Sequence, residues 1–133
     1  MTRAKQTEPD TQLPTQAELE ILNALWSRGP STVREVHELL GAKGTGYTTV
    51  LKQMQVMVAK GLLVRSERFR SHVYEARIAK EKTQKRMTQN LLHQVFDGST
   101  KSLVLGALSA QKVSSAEMAE IRKLLDKYEK EAR

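Results

Sequence analysis

The stretch that decides the fold is residues 46–76, which read GYTTVLKQMQVMVAKGLLVRSERFRSHVYEA. Its first half places apolar side chains at the i, i+3, i+4, i+7 spacing that lines one side of an α-helix, at Tyr47, Val50, Met54, Met57 and Val58. Gly61 supplies the residue type at which helices commonly end. We therefore predict one helix whose apolar side, including Tyr47, faces a core.

The opposite side of this helix carries small or hydrogen-bonding groups, at Thr48, Thr49, Lys52, Val56 and Ala59. Residues 62–66 and 72–76 then have the composition of two short strands around a polar turn. Three arginines lie on this hairpin, at Arg65, Arg68 and Arg70. A helix with a thin polar side beside a basic hairpin is the pattern with which winged helix-turn-helix proteins read DNA.

Two more helices are predicted before this stretch, each starting at a capping box in which a threonine hydroxyl and a glutamate carboxylate bind backbone amides. Thr15 with Glu18 starts the first helix and Thr32 with Glu35 starts the second. We expect the inward side chains to be Leu19, Leu22, Leu25, Trp26, Val33, Val36, Leu39 and Leu40. Residues 13–78 thus form a predicted winged helix-turn-helix DNA-binding domain, preceded by a flexible tail over residues 1–12.

Residues 79–133 contain three predicted amphipathic helices and no strand, which is too little to enclose a separate core. Asp97 and Gly98 separate the first two helices, and Ser114 with Glu117 starts the third. A second copy of the chain would cover the apolar faces. We predict a helical dimerisation domain, with contacts from Leu91, Leu92, Val95, Phe96, Leu103, Leu105, Met118, Ile121, Leu125 and Tyr128. The fold class is mainly α with a small β-hairpin.

The charge of the chain favours a polyanionic partner. The net charge is +7, and residues 41–86 hold eleven lysines and arginines against three glutamates. The 133 residues include no cysteine, which excludes a disulfide framework and thiolate metal sites. The sequence has no apolar run of membrane-spanning length and no signal-peptide core, so we expect a cytoplasmic protein without membrane insertion.

The sequence resembles the BlaI/MecI penicillinase-repressor family from residue 13 to residue 128. The pieces that carry the resemblance are Ala17-Glu18 with Leu25-Trp26, Thr32-Val33-Arg34-Glu35-Val36, Tyr47-Thr48-Thr49-Val50, Lys60-Gly61-Leu62-Leu63 and Val73-Tyr74. The resemblance implies a dimeric repressor that binds a palindromic operator with TACA and TGTA halves. It also implies DNA contacts at the start of the recognition helix, at Gly46, Tyr47, Thr48 and Thr49, to which the residue pattern adds Lys52 and the three hairpin arginines.

Relief of repression is a further implication of the resemblance. Members of the family commonly share an operon with a membrane-bound sensor metalloprotease, and induction involves cleavage within the dimerisation part. The matching segment here is Leu105, Gly106 and Ala107, where well-known members have an Asn-Phe bond. A copper-sensing branch of the family carries cysteine pairs, and this chain has none.

Other functions have weaker support in the sequence. His37, His72 and His93 lie far apart without cysteine, so we expect no metal or other cofactor. Ser31 and Ser71 form no convincing catalytic triad, and we expect no enzyme activity. Two alternatives stay open: a winged-helix protein-interaction module, for which the exposed Val56 speaks, and a ligand-responsive winged-helix regulator of another family.

Overall fold

The computed structural model describes residues 13–41, 44–68 and 70–132, apart from the side chain of Arg68. The described residues form six helices and a two-stranded antiparallel sheet. In chain order these elements are α1 (Gln16–Arg28), α2 (Val33–Leu40), α3 (Tyr47–Lys60), β1 (Leu63–Arg68), β2 (Ser71–Ala76), α4 (Lys80–Gln94), α5 (Thr100–Ala110) and α6 (Ser115–Glu131). This order confirms the predicted winged helix-turn-helix followed by a helical C-terminal segment. The predicted flexible tail lies outside the described residues.

The chain divides into two compact units, the first ending at Gln89 and the second starting at Asn90. The division falls inside α4, because the start of this helix packs on the first unit, where Thr83 is buried. The predicted boundary between a DNA-binding domain over residues 13–78 and a dimerisation domain over residues 79–133 stays a prediction. No helix in the described ranges is long and apolar enough to cross a membrane.

Both predicted capping boxes of the first unit are present. The Thr15 and Thr32 hydroxyls accept hydrogen bonds from the amides of Glu18 and Glu35, and the two carboxylates accept from the threonine amides. Gly29 ends α1, and Gly61, in the left-handed region at φ 85°, ends α3. Local sequence rules therefore set the bounds of α1 and α2.

The core of the first unit lies where α1, α2 and α3 meet the hairpin. Its buried hydrophobic residues are Ile21, Leu22, Ala24, Leu25, Val33, Val36, Leu40, Val50, Met54, Met57, Leu62, Leu63 and Tyr74. Trp26 is half-buried against this core, and its Nε1 donates to the Ile78 carbonyl at 2.9 Å. The hydrogen bond satisfies the indole N–H, which would cost free energy if buried unpaired.

Among the side chains expected to point inward, Leu19 is only half-buried and lies outside the core cluster, and two others are exposed. Tyr47 is 45% exposed, because it stands at the first position of α3, and its ring packs edge-on against His37 with the centroids 5.8 Å apart. Leu39 is 50% exposed, because Leu40 takes the inward position one turn after Val36. The strands also extend further towards the turn than residues 62–66 and 72–76 predicted.

The second unit comprises the end of α4 with α5 and α6. Asp97 and Gly98 make the predicted break, both at positive φ. Ser99 and Ser114 cap α5 and α6 by accepting hydrogen bonds from backbone amides in the first turn. An added Cβ at Gly106 would lie 3.3 Å from the Phe96 ring. Glycine at this position therefore lets the backbone of α5 lie close to the Phe96 ring without displacing it. None of residues 90–132 is buried.

Candidate nucleic-acid interface

The polar side of α3 is exposed as the sequence predicted. Val50, Met54 and Met57 are almost completely buried. The residues of the opposite side are all exposed, namely Thr48, Thr49, Lys52, Val56 and Ala59. The helix is thus fixed on one side by the core and free on the other, where its exposed row of threonines, Lys52, Val56 and Ala59 carries no aromatic ring.

The N-terminus of α3 has no side-chain cap among the described residues. Gly46 occupies the N-cap position with extended backbone, at φ −77° and ψ 160°, and no acidic residue lies in the first turn. The first amides of a helix lack partners within the helix and carry its positive dipole end. The described structure gives these amides no side-chain partner, and the exposed Thr48 and Thr49 lie in the same turn, which is an arrangement suited to an anion.

The wing is the hairpin of β1 and β2, in which Arg68 pairs with Ser71 across the turn. Arg65 lies opposite Tyr74 in the register, and Arg70 stands in the turn at φ 67°. Arg65 and Arg70 are exposed and have no ion-pair partner among the described side chains. The side chain of Arg68 lies outside the described atoms.

A short bridge holds the wing to the link between α1 and α2. The amide of Ser31 donates to the Tyr74 carbonyl at 2.9 Å, and the amide of Tyr74 donates to the Ser31 carbonyl at 2.8 Å. Both residues are 1% exposed, and the Ser31 hydroxyl donates to the Gly29 carbonyl. The base of the wing is therefore fixed relative to the helices.

An ion pair between an exposed lysine and a buried glutamate fixes α3 against α1. Lys60, in the last turn of α3, binds the carboxylate of Glu18 at 2.6 Å, and Glu18 is 2% exposed. Burial acts to raise the pKa of Glu18, but the hydrogen bond from Lys60 and the amide of Thr15 together outweigh it, so this pKa lies below its usual value. At the surface, the Thr32 amide and then Arg28 lower the pKa of Glu35.

A groove of about 380 Å³ runs between α2, the start of α3 and the wing. Its lining consists of Thr32, Val33, Arg34, Tyr47, Leu51, Ser71, His72 and Tyr74. Of these residues, only Tyr47 was predicted from the sequence to contact DNA. Arg34 was identifiable as an exposed basic residue just after the Thr32 cap, but only the tertiary structure places it beside Tyr47 and β2.

The predicted dimerisation residues lie in the second unit and none is buried. Val95, Leu105, Leu125 and Tyr128 are each at least 60% exposed. Leu92, Phe96, Leu103, Met118 and Ile121 are half-buried, and Leu91 is exposed. The proposed cleavage segment, Leu105 to Ala107, is helical within α5. No group of three potential metal ligands occurs in the described part of the chain.

Comparison with known proteins gives matches at three levels. The family model described as "Penicillinase repressor" matches residues 14–127. Two curated relatives, both described as transcriptional regulator BlaI, come from two strains of Mycobacterium tuberculosis and are 41% identical over 59 residues. Each match covers 43% of this chain and 43% of the relative, so the chain spans less than half the length of these relatives.

A solved structure of BpsR from Bordetella bronchiseptica, described in terms of the regulation of its DNA binding by 6-hydroxynicotinic acid, is 22% identical. The match covers 93% of this chain and 81% of that chain with a TM-score of 0.43. A likeness at this level supports no conclusion about function. The family match, in contrast, extends over most of the sequence and covers most of both compact units. The chain therefore belongs to the penicillinase repressor family, a family of transcriptional repressors.

Proposed function

We propose that the protein is a transcriptional repressor that binds a palindromic DNA operator as a homodimer and has no catalytic role. The observation that carries the proposal is the exposed polar side of α3, which lies beside a basic hairpin in a helix-turn-helix arrangement. The N-terminus of α3 has no side-chain cap among the described residues. Membership of the repressor family supports it. The predicted cytoplasmic location fits a protein whose ligand is DNA.

In this proposal α3 enters the major groove. Gly46 lets the backbone approach, and Thr48, Thr49 and Lys52 face base edges or neighbouring phosphates. The resemblance to the family implies an operator with TACA and TGTA halves. Two copies of α3 in a two-fold dimer would meet successive major-groove faces about 34 Å apart.

The wing arginines would neutralise phosphates beside the bases that α3 reads. Arg65 and Arg70 have no carboxylate partner among the described side chains, so contact with DNA would not cost a protein ion pair. Arg68 is proposed for the same role from its place in the strand. Each neutralised phosphate releases counterions, and the affinity should fall steeply with salt.

The second unit supports the homodimer because none of its apolar side chains is buried by the part of the chain that the structure describes. Contiguous exposed apolar surface of this kind marks an interaction site, and α6 carries it at helical spacing through Leu124, Leu125 and Tyr128. We propose that a second copy covers these faces. Linking two half-site binders makes the second contact intramolecular and raises the overall affinity.

Relief of repression would act on this second unit, by proteolysis or by another signal. A membrane-bound sensor metalloprotease is the partner that the family resemblance implies. Leu105, Gly106 and Ala107 lie inside a helix, and a protease would need that helix to open locally before cleavage.

The test measures the binding of purified protein to a random-sequence duplex by fluorescence anisotropy, at low and at high salt. A repressor of this kind binds at low salt and loses affinity steeply as salt rises. Selection of bound fragments from a random pool then yields a palindrome. Absence of binding at low salt would refute the proposal.

Two substitutions separate base reading from phosphate contact. Thr49→Ala should relax sequence discrimination by about 1 to 3 kcal/mol if Thr49 reads a base. Arg70→Ala should weaken binding to all sequences alike and flatten the salt dependence. If Arg70→Ala changed neither the affinity nor its salt dependence, the role given to the wing would be wrong.

A protein-interaction module is the second candidate, because Val56 is 40% exposed on the same side of α3 as the threonines. In that case the helix and the wing would bind an acidic protein. The same anisotropy experiment separates the two candidates, since such a module would not bind the random duplex.

A further inference from the structure

The groove between α2, α3 and the wing brings together hydrogen-bond donors from three elements. Thr32 and Arg34 come from the start of α2, Tyr47 from the start of α3, and Ser71 from β2. None of the residues that line the groove is acidic. The apolar lining comes from Val33, Leu51 and Tyr74, with Val33 and Tyr74 also part of the buried core, so this wall is rigid.

Arg34 is the strongest donor in the groove. Its side chain is exposed and has no carboxylate partner among the described residues, whereas Arg28 on α1 is paired with Glu35 at 2.7 Å. A guanidinium presents several N–H groups in a planar fork that matches phosphate oxygens. Arg34 is thus available for an anion without first breaking a described ion pair.

Tyr47 forms part of the groove and is held in place by α2. Its ring meets His37 edge-on, at an angle of 84° and a centroid separation of 5.8 Å. His72, on the other side, has its Nε2 turned to Glu67 at 3.2 Å across the hairpin, and Glu67 does not line the groove. The hydroxyl of Tyr47 therefore belongs to a ring that contacts α2, next in sequence to Thr48 and Thr49.

We propose that this groove binds one phosphodiester group of the DNA backbone, with Arg34 as its cationic donor and the hydroxyls of Tyr47 and Ser71 beside it. The inference rests on the proposed function, because the ligand is the same DNA that α3 reads. In the proposed binding mode, the DNA strand beside the first turn of α3 would pass next to Tyr47, which lines this protein groove. The lining supplies a guanidinium and several hydroxyl groups, which is the set of donors that most often contacts DNA phosphates.

The test compares four variants: Arg34→Ala, Arg34→Lys, Tyr47→Phe and, as the matched control, Arg77→Ala. Arg77 is an exposed arginine of the same unit that does not line the groove. Each variant is measured by anisotropy against the selected palindrome and a random duplex over a range of salt, with thermal unfolding as a check on folding.

We expect Arg34→Ala to weaken binding about tenfold or more on both duplexes, since a charge-assisted hydrogen bond is removed from each half-site. The salt slope should flatten by about 1 for each phosphate that the variant no longer neutralises. Arg34→Lys should restore the slope but only part of the affinity, because the charge remains and the planar fork does not. Tyr47→Phe should give a smaller loss of affinity without a change in slope.

A second measurement locates the phosphate. The palindrome is prepared as a series of duplexes, each with one neutral methylphosphonate in place of a phosphodiester. With the wild-type protein, a methylphosphonate at the position that this groove binds should weaken binding, once in each half-site. With Arg34→Ala the loss of affinity at that position should disappear, while the losses at other contacted phosphates remain. If Arg34→Ala behaved like Arg77→Ala, or if every penalty persisted, this inference alone would be wrong. Failure of the wild-type protein to bind DNA would overturn the proposed function as well.

Discussion

The two compact units treat their apolar residues in opposite ways. Among the described residues, the first unit buries the hydrophobic side chains of three helices and a hairpin around Met54 and Val36, both 0% exposed. None of the described residues of the second unit is buried, and Leu125 and Tyr128 are 60% and 66% exposed. One unit therefore has its own buried core, whereas the other would bury a comparable fraction only against the partner surface that we propose.

The largest expected effect comes from a charge placed on the uncovered face. Leu125→Asp should dissociate the proposed dimer and lower the apparent affinity for a palindrome about 10²- to 10⁴-fold, because the advantage of linking two half-site binders is lost. Sedimentation velocity gives the assembly state and anisotropy the affinity. Lys127→Asp, on the same helix but outside the apolar stripe, is the control and should stay dimeric. If the Leu125→Asp protein stayed dimeric, the proposal that the exposed apolar face of the second unit forms the dimer interface would be wrong.

A cavity in the core of the first unit should come next. Met54→Ala should lower the free energy of unfolding by about 2 to 5 kcal/mol, because Met54 is fully buried and its neighbours relax only partly. Met118→Ala, in the second unit, is the comparison, since Met118 is half-buried. Urea titration at several protein concentrations should show a cost for Met118→Ala that depends on concentration. An equal, concentration-independent cost for both variants would mean that the second unit has a core of its own.

The pH dependence of stability should depend in part on Glu18. Because the folded state lowers the pKa of Glu18, this carboxylate stabilises the fold above the usual glutamate pKa of about 4.3, and the contribution is lost as pH falls through the folded value. Glu18→Gln should cost about 1 to 3 kcal/mol at pH 7. The difference from wild type should shrink on acidification in urea titrations. The exposed Glu38→Gln is the control, and an unchanged difference at low pH would contradict the assignment.

The smallest effect is expected at a helix cap of the second unit. The hydroxyl of Ser114 accepts a hydrogen bond from the Glu117 amide, with an N···O distance of 3.1 Å. Because this bond caps the helix, Ser114→Ala should destabilise α6 by about 1 kcal/mol. If α6 is held mainly by association, this destabilisation should appear as weaker dimerisation in sedimentation equilibrium. A change seen only in unfolding of the isolated subunit would indicate instead that the second unit is stable alone.

Most of the fold was predictable because the signals are local. Capping boxes at Thr15 and Thr32, a left-handed glycine at Gly61 and a helical apolar stripe through Met54 each act over a few residues. The same apolar stripe also predicted which side of α3 is exposed, because the exposed residues lie opposite the stripe on the helix. The DNA-contacting and dimerisation roles of the named residues stay predictions, since they concern molecules outside the chain.

The sequence by itself determined where helices and strands form and which side of α3 meets the core, because hydrogen-bond capping and apolar periodicity depend on near neighbours. Only the tertiary structure decided which distant groups meet. It pairs Glu18 with Lys60, sets Trp26 against Ile78, turns Tyr47 out against His37 and places Arg34 on a groove shared with β2. Such contacts depend on how the elements pack, and no spacing along the chain encodes them.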